Sequence, residues 1–248
     1  TCSQKNCFWE ILVIIIKALI AYTLFAFYKS PAFTDDLLMD WYKSVWEHGE
    51  YLRRKHRNRG NWLIMEMNGL GQIGILYPEF KQSGQWLLYA MDMLTQELDR
   101  QVYPDGFQYE LSTGYHYVVI NNYMRFIKTA KAFGVQVQER LPEKLLYMLE
   151  VYRKVMEPDG FTPDINDGGR RAVRQLMEEV LPYLNEDTSC NTPDYQSVAM
   201  EYAGIMIFRD GWTEDCTWAL LDAGPFGTGH QHEDKLNLLI HAGRKEIV

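Results

Sequence analysis

Apolar residues recur at helical spacing over most of this chain. Leu37, Leu38, Trp41, Tyr42, Val45 and Trp46 form one such stripe, and comparable stretches lie near 8–28, 35–56, 61–76, 82–102, 114–133, 139–156 and 169–184. Ser30-Pro31 breaks the first pair, and Thr34-Asp35-Asp36 reads as a helix N-terminus. After Pro193 the period shortens. Ala203–Arg209 and Thr217–Asp222 read as strands, while Leu236–His241 and Lys245–Val248 flank Ala242-Gly243-Arg244, a hairpin signal. The pattern predicts an α + β, multidomain chain: a helical domain over 1–188 and the start of an antiparallel sheet domain over 189–248, divided in the Asn185–Pro193 loop.

The loops repeat. Tyr103-Pro104-Asp105-Gly106-Phe107 and Glu157-Pro158-Asp159-Gly160-Phe161 share Pro-Asp-Gly-Phe, 54 positions apart. Pro presets φ and Gly accepts a positive φ, so both are turns. Tyr77-Pro78-Glu79 marks a further break near half that interval. One long helix plus one loop fits each interval, which suggests stacked helical hairpins, as in a solenoid or a closed toroid.

Composition changes the picture little. Hydrophobic residues at 47% argue for a packed core and against disorder. The net charge of −8 and the single basic run, Arg53-Arg54-Lys55-His56-Arg57 at a helix end, give no nucleic-acid footprint. Cys2, Cys7, Cys190 and Cys216 form no CxxC pair; nothing in the spacing supports a Cys190–Cys216 bridge or excludes it, and the redox compartment stays open. Residues 11–28, with only Lys17 charged, are long enough to span a bilayer or to form a buried helix. The absence of an initiator Met and a sheet that stops in mid-strand at Val248 point to a fragment.

Several motifs carry candidate chemistry. Gly69-Leu70-Gly71-Gln72-Ile73-Gly74 matches a nucleotide-binding pattern, but Pro78 follows too soon for the required helix, so its glycines are expected to let helices approach closely. Asn61 reads as a helix N-cap facing a loop, with Glu66 and Asn68 following on the helix. Tyr115-His116 pairs a phenol that can donate a proton with an imidazole that titrates near neutrality; the same pair could equally serve a helix interface. In Gly227-Thr228-Gly229-His230-Gln231-His232-Glu233-Asp234, a strand would turn His230, His232 and Asp234 to one face, the makings of a zinc site, or the stretch is a polar turn before Leu236. His48, His56 and His241 lack such company and are expected to be structural or on the surface.

Arg59-Gly60-Asn61-Trp62 with Glu66, Tyr77-Pro78-Glu79, Pro104-Asp105-Gly106, Glu110-Leu111-Ser112 with Tyr115-His116, Pro158-Asp159-Gly160, Asn166-Asp167, Arg209-Asp210-Gly211-Trp212, and Asp222-Ala223-Gly224 through His230-Gln231-His232-Glu233-Asp234 follow in order. In that order they resemble the heparinase II/III and alginate-lyase-like polysaccharide lyases. The resemblance implies an incomplete (α/α) toroid followed by an antiparallel β-sandwich, here truncated, with residues 8–28 a buried helix rather than a membrane span. It implies β-elimination at a uronic acid of an acidic polysaccharide, in the periplasm or outside the cell. Asn61 would hold the uronate carboxylate as charge develops. Tyr115 would be the acid, and either Tyr115 or His230 the base. Trp62 stands where some relatives carry His. Trp62, Glu66, His116, Asp167 and Gln231 are expected substrate contacts, with His116 and His230 available to lower the Tyr115 pKa. His232 would ligate a structural zinc, with Asp234 a local partner. The residues also leave open a glycoside hydrolase using two of Asp105, Glu110, Asp159 and Asp167, or a glycan-binding protein without catalysis.

Overall fold

The computed structural model describes residues 27, 29–184, 193, 195–226, 229–233 and 235–247. The expected helix at 8–28, the Asn185–Pro193 boundary loop, Cys190 and Asp234 lie wholly or mostly outside them. Among the described residues there are six α-helices, followed by one five-stranded sheet. They are α1 (Asp35–Lys55), α2 (Gly60–Leu76), α3 (Ser83–Gln101), α4 (Thr113–Ala132), α5 (Arg140–Val155) and α6 (Val173–Val180). No helix among the described residues is long and apolar enough to cross a membrane. The chain forms two compact units, one from Thr1–Gln96 with Arg125–Gln138, the other from Glu97–Met124 with Glu139–Val248.

In the first unit, Thr34 starts α1: its hydroxyl accepts from the Leu37 N–H at 3.3 Å. Asp35 and Asp36 occupy the first turn and Arg53, Arg54 and Lys55 the last, each sign matching the helix dipole. Val45, Gly49 and Leu52 are the buried line. Leu37 and Trp46, expected in the stripe, are exposed because they flank Val45 about a quarter-turn to either side. A Cβ at Gly49 would lie 2.7 Å from the Trp86 indole, so only Gly lets α3 come this close. α2 is buried on nearly every side from Leu63 onward. A Cβ at Gly71 would meet Phe126 at 2.6 Å, and one at Gly74 would meet the Ser83 carbonyl at 2.7 Å. The GxGxxG stretch therefore sets helix-packing distance.

The second unit contains both Pro-Asp-Gly-Phe turns, and they are built alike. Gly106 N–H donates to Tyr103 C=O and Gly160 N–H to Glu157 C=O, both at 2.9 Å. The glycines take φ 95° and 84°. Asp105 and Asp159 each accept from the N–H two residues on, at Phe107 and Phe161. These two carboxylates thus shape turns, which takes them away from the glycosidase reading. The helix expected at 169–184 is shorter. Ala172 pairs with Phe161 in an antiparallel bridge, which holds 170–172 extended, and Pro182 limits the end to a 3-10 turn, Leu181–Tyr183.

The sheet is an antiparallel meander of β1 (Val198–Met200), β2 (Ile205–Arg209), β3 (Trp218–Asp222), β4 (Asn237–Ala242) and β5 (Lys245–Glu246), in that spatial order. Its register pairs Val198 with Ile207, Arg209 with Trp218, Trp218 with His241, and Ala242 with Lys245. Alternation puts Ile205, Ile207, Arg209, Trp218, Leu220 and Asp222 on the buried face and Met206 and Phe208 outward. The buried Arg209 donates to the Lys154 and Met156 carbonyls, at 3.2 and 2.6 Å, and so satisfies the C-terminus of α5. His241 lies 3.4 Å from Glu157 on the buried face, a structural place as expected.

Candidate active site

α4 begins at a crowded corner of the second unit. The Ser112 hydroxyl accepts from the Tyr115 N–H at 3.2 Å and donates to the Asp167 carbonyl at 2.5 Å. A Cβ on Gly114 would lie 2.4 Å from the Gly168 carbonyl, so the 166–168 loop packs onto the first turn of α4 only because residue 114 is Gly. Leu111 and Asn166 both carry positive φ, 54° and 55°, and are joined by an Asn166 amide donating to Leu111 C=O at 2.7 Å.

The same loop organises the histidine segment. Asp167 N–H donates to His230 C=O at 3.1 Å, and His232 N–H donates to the Asn166 side-chain oxygen at 3.0 Å. Residues 230–232 are not in a strand, as the alternation suggested; β4 begins only at Asn237. Pinned at two points, the segment still sends both imidazoles the same way. His230 Nδ1 and His232 Nε2 each lie 2.9 Å from a different oxygen of Asp167. Their hydrogen bonds hold the Asp167 carboxyl below its ordinary pKa, so it is ionised at neutral pH and accepts from both rings. His230 must then carry its proton on Nδ1, which puts the lone pair of the neutral ring on Nε2.

Tyr115 stacks on His230 with ring centroids 3.3 Å apart and planes 16° from parallel. Burial raises the phenol pKa, and Asp167 and Glu110 raise it further. Tyr115 therefore holds its proton near neutrality. His116, its neighbour, points elsewhere: it is fully buried, its Nδ1 accepts from Gln108 N–H at 3.1 Å and its Nε2 donates to Met148 C=O at 2.9 Å. Burial depresses its pKa to about 4, against a lesser opposing pull from the Met148 carbonyl. An enclosed neutral ring neither touches a polysaccharide nor lowers the pKa of Tyr115, so the two tasks expected of His116 give way to holding the Gln108 loop on α5. Gln231 is buried beside the histidines.

Zinc of the structural kind takes four donors in a tetrahedron. His232 is turned to Asp167, and among the described residues no group of three or more His, Cys, Asp or Glu is placed to hold a metal. The described residues do not complete a metal site.

Asn61, Trp62 and Glu66 belong to the first unit. Asn61 is not the N-cap: Gly60, at φ 79°, already opens α2, which leaves Asn61 buried in its first turn and Trp62 half-buried. Glu66 is 1% exposed, and its Oε2 accepts from Arg57 N–H at 2.6 Å, while Oε1 is buried with no partner among the described residues. It tethers the segment that leads into Asn61 and is too enclosed for the substrate contact expected of it. Burial drives its pKa up to about 7, against smaller lowering by the Arg57 N–H and charge. Between the ordinary 4.5 and about 7 the folded chain keeps a proton that the unfolded chain releases, so stability falls as pH rises through that window. The loss amounts to about 3 kcal/mol. Glu66→Gln, permanently neutral, is expected to flatten this slope and to melt above the parent at pH 8 but not at pH 5. Parallel melting curves for the two proteins would remove Glu66 as the titrating group.

Helices lead into an antiparallel sheet, and a tyrosine, two histidines and a carboxylate gather at a helix start of this α + β protein. The chain belongs to the heparinase II/III family: the family described as Heparinase II/III N-terminus matches residues 2–191. It is 29% identical over 229 residues to a heparin-sulfate lyase of Pedobacter heparinus, covering 86% of this chain and 34% of the relative. It is 26% identical over 225 residues to a heparin-sulfate lyase of Bacteroides stercoris, covering 84% and 34%. The chain thus spans about a third of the length of these curated relatives. Among solved structures, a heparinase III superposes with TM-score 0.79 at 26% identity over 96% of this chain and 40% of that one. A heparan sulfate lyase mutant from Pedobacter heparinus gives TM-score 0.77 at 26% identity, over 99% and 42%.

Proposed function

We propose that the chain carries the acid–base groups of a lyase that splits an acidic, uronate-containing polysaccharide by β-elimination. The curated relatives are named heparin-sulfate lyases, and a solved relative is named a heparan sulfate lyase. The observation that carries the reading is Tyr115 stacked on His230 while Asp167 holds His230 by Nδ1. In the reaction His230 Nε2 takes the C5 proton, the C5–H electron pair forms the C4=C5 double bond, and the C4–O4 bond breaks. The departing O4 takes the Tyr115 proton, and proton exchange between imidazolium and phenolate through solvent restores both groups.

Tyr115 as its own base would need a lowered pKa. Burial, Asp167 and Glu110 all raise it, and neutral His116 offers no opposing charge. This supports Tyr115 as acid and His230 as base. C5 epimers present that proton on opposite ring faces, so one base position favours one epimer. We also read the helices as part of an incomplete (α/α) toroid, residues 1–188, and the sheet as the start of a β-sandwich, residues 189–248, in a periplasmic or secreted protein.

The test is ultraviolet absorbance on mixing the full-length protein with a panel of uronate polysaccharides. A rise from an unsaturated uronate is expected. New reducing ends without that rise would replace elimination by hydrolysis, and neither signal from folded protein would leave glycan binding alone.

A further inference from the structure

A cavity of about 400 Å³ lies in the second unit, lined by Tyr117, Phe161, Arg170, Arg171, Gln175 and Glu179 among others. Its volume is in the range of small-molecule sites, and of these residues the sequence marked only Phe161, as part of a turn. Its floor is built in advance of any ligand. Phe161 and Ala172 pair as an antiparallel bridge, Thr162 N–H donates to Arg171 C=O at 2.9 Å, and Arg171 N–H donates to the Thr162 hydroxyl at 3.0 Å. This is the stem of the loop that presents Asn166 and Asp167, so one loop shapes both the cavity and the histidine cluster.

The two arginines differ. Arg170 is paired with Glu157 and Asp159, and its charge is spent there. Arg171 lies over the Tyr117 ring, 3.8 Å from its centroid, and has no carboxylate partner among the described residues. A guanidinium placed over a ring can still donate hydrogen bonds from its N–H groups to a planar or tetrahedral oxyanion. Away from Arg171, the Gln175 amide donates to Glu179 at 3.0 Å, a pair suited to sugar hydroxyls rather than to a second anion. Tyr117 and the exposed Phe161 supply the apolar faces against which a sugar ring packs.

We propose that this cavity is an auxiliary subsite for one anionic sugar residue of the polymer, with Arg171 reading its carboxylate or sulfate. The proposal rests on the polysaccharide reading above. It is tested by calorimetric titration of a heparan sulfate hexasaccharide into the full-length Tyr115→Phe protein, which keeps the ligand intact, with and without Arg171→Ala or Arg171→Lys. Arg171→Ala should raise Kd about tenfold, the loss of one charge-assisted contact, and Arg171→Lys should recover part of it. Equal Kd values for parent and Arg171→Ala overturn the subsite, whatever the absorbance assay shows. Absence of hexasaccharide binding in a parent that also yields no unsaturated product overturns the functional reading and this proposal together, whereas absence of binding in a parent that does yield product overturns the subsite alone.

Discussion

Tyr115→Phe is expected to slow elimination by about 10²–10⁴-fold, the usual contribution of a positioned general acid. The substitution removes one oxygen and leaves the ring that stacks on His230 at 3.3 Å, so the thermal midpoint should stay within a degree or two of the parent, as for a surface change of roughly half a kcal/mol. The loss should fall mainly on kcat, because the phenol gives up its proton only as the C4–O4 bond breaks. It should also be steeper on substrates with a poor leaving group than on an aryl glycuronide whose leaving oxygen needs no proton. His230→Ala should lose activity on the aryl substrate as well, since the C5 proton must still be removed. Undiminished turnover of polysaccharide by folded Tyr115→Phe protein would sink the assignment of the acid.

Much of the fold was legible because its signals are local. The helices from Asp35 to Val155 follow apolar spacing bounded by Thr34, Pro78 and the two Pro-Asp-Gly-Phe turns, and their ends fall within a residue or so of expectation. Residues 169–172 misled, since an Arg-rich, Ala-containing stretch reads as helix while Phe161 draws Ala172 into a bridge. β1 went unseen because three residues carry too little alternation to register, and Ile205–Ile207 defines it only by pairing.

The site was legible as residue types and not as partnerships. Tyr115 and His116 are adjacent, and on a helix adjacent side chains diverge by about 100°, so one can face a cleft and the other the core. Nothing in the dipeptide says which. Asp167 was singled out as a sugar contact, yet its oxygens are turned to imidazoles 63 and 65 residues away. That pairing depends on Gly114 and Ser112 admitting the 166–168 loop, a long-range fit with no local mark. Glu66 likewise reads as a substrate contact until the burial of nearly all of α2 around it is known.

His116→Ala is expected to destabilise the second unit by about 3–5 kcal/mol, because it opens a ring-sized cavity and strands two backbone groups. The cavity would lie between Phe107 and Tyr152, whose rings stand 5.1 and 5.0 Å from the imidazole. The stranded groups are Gln108 N–H and Met148 C=O. The parent should show the same anchor through pH. An unfolded His takes up a proton near 6.5, and the folded one resists until about 4. Within that window unfolding binds a proton, so the stability supplied by neutral His116 is complete above 6.5 and is lost as pH falls through about 4, a change of about 3 kcal/mol. Urea denaturation at pH 7.5 and pH 4.5 reads both effects. The gap between parent and variant should be wide at pH 7.5 and narrow at pH 4.5, because acid removes from the parent what the substitution has already removed. A gap that is constant with pH would mean that His116 takes up a proton as readily in the folded chain as in the unfolded one, and would undo its assignment as the neutral pin between the Gln108 loop and α5. The same pin fixes the first turn of α4, so loss of His116 should displace Tyr115 and lower turnover even where the variant stays folded.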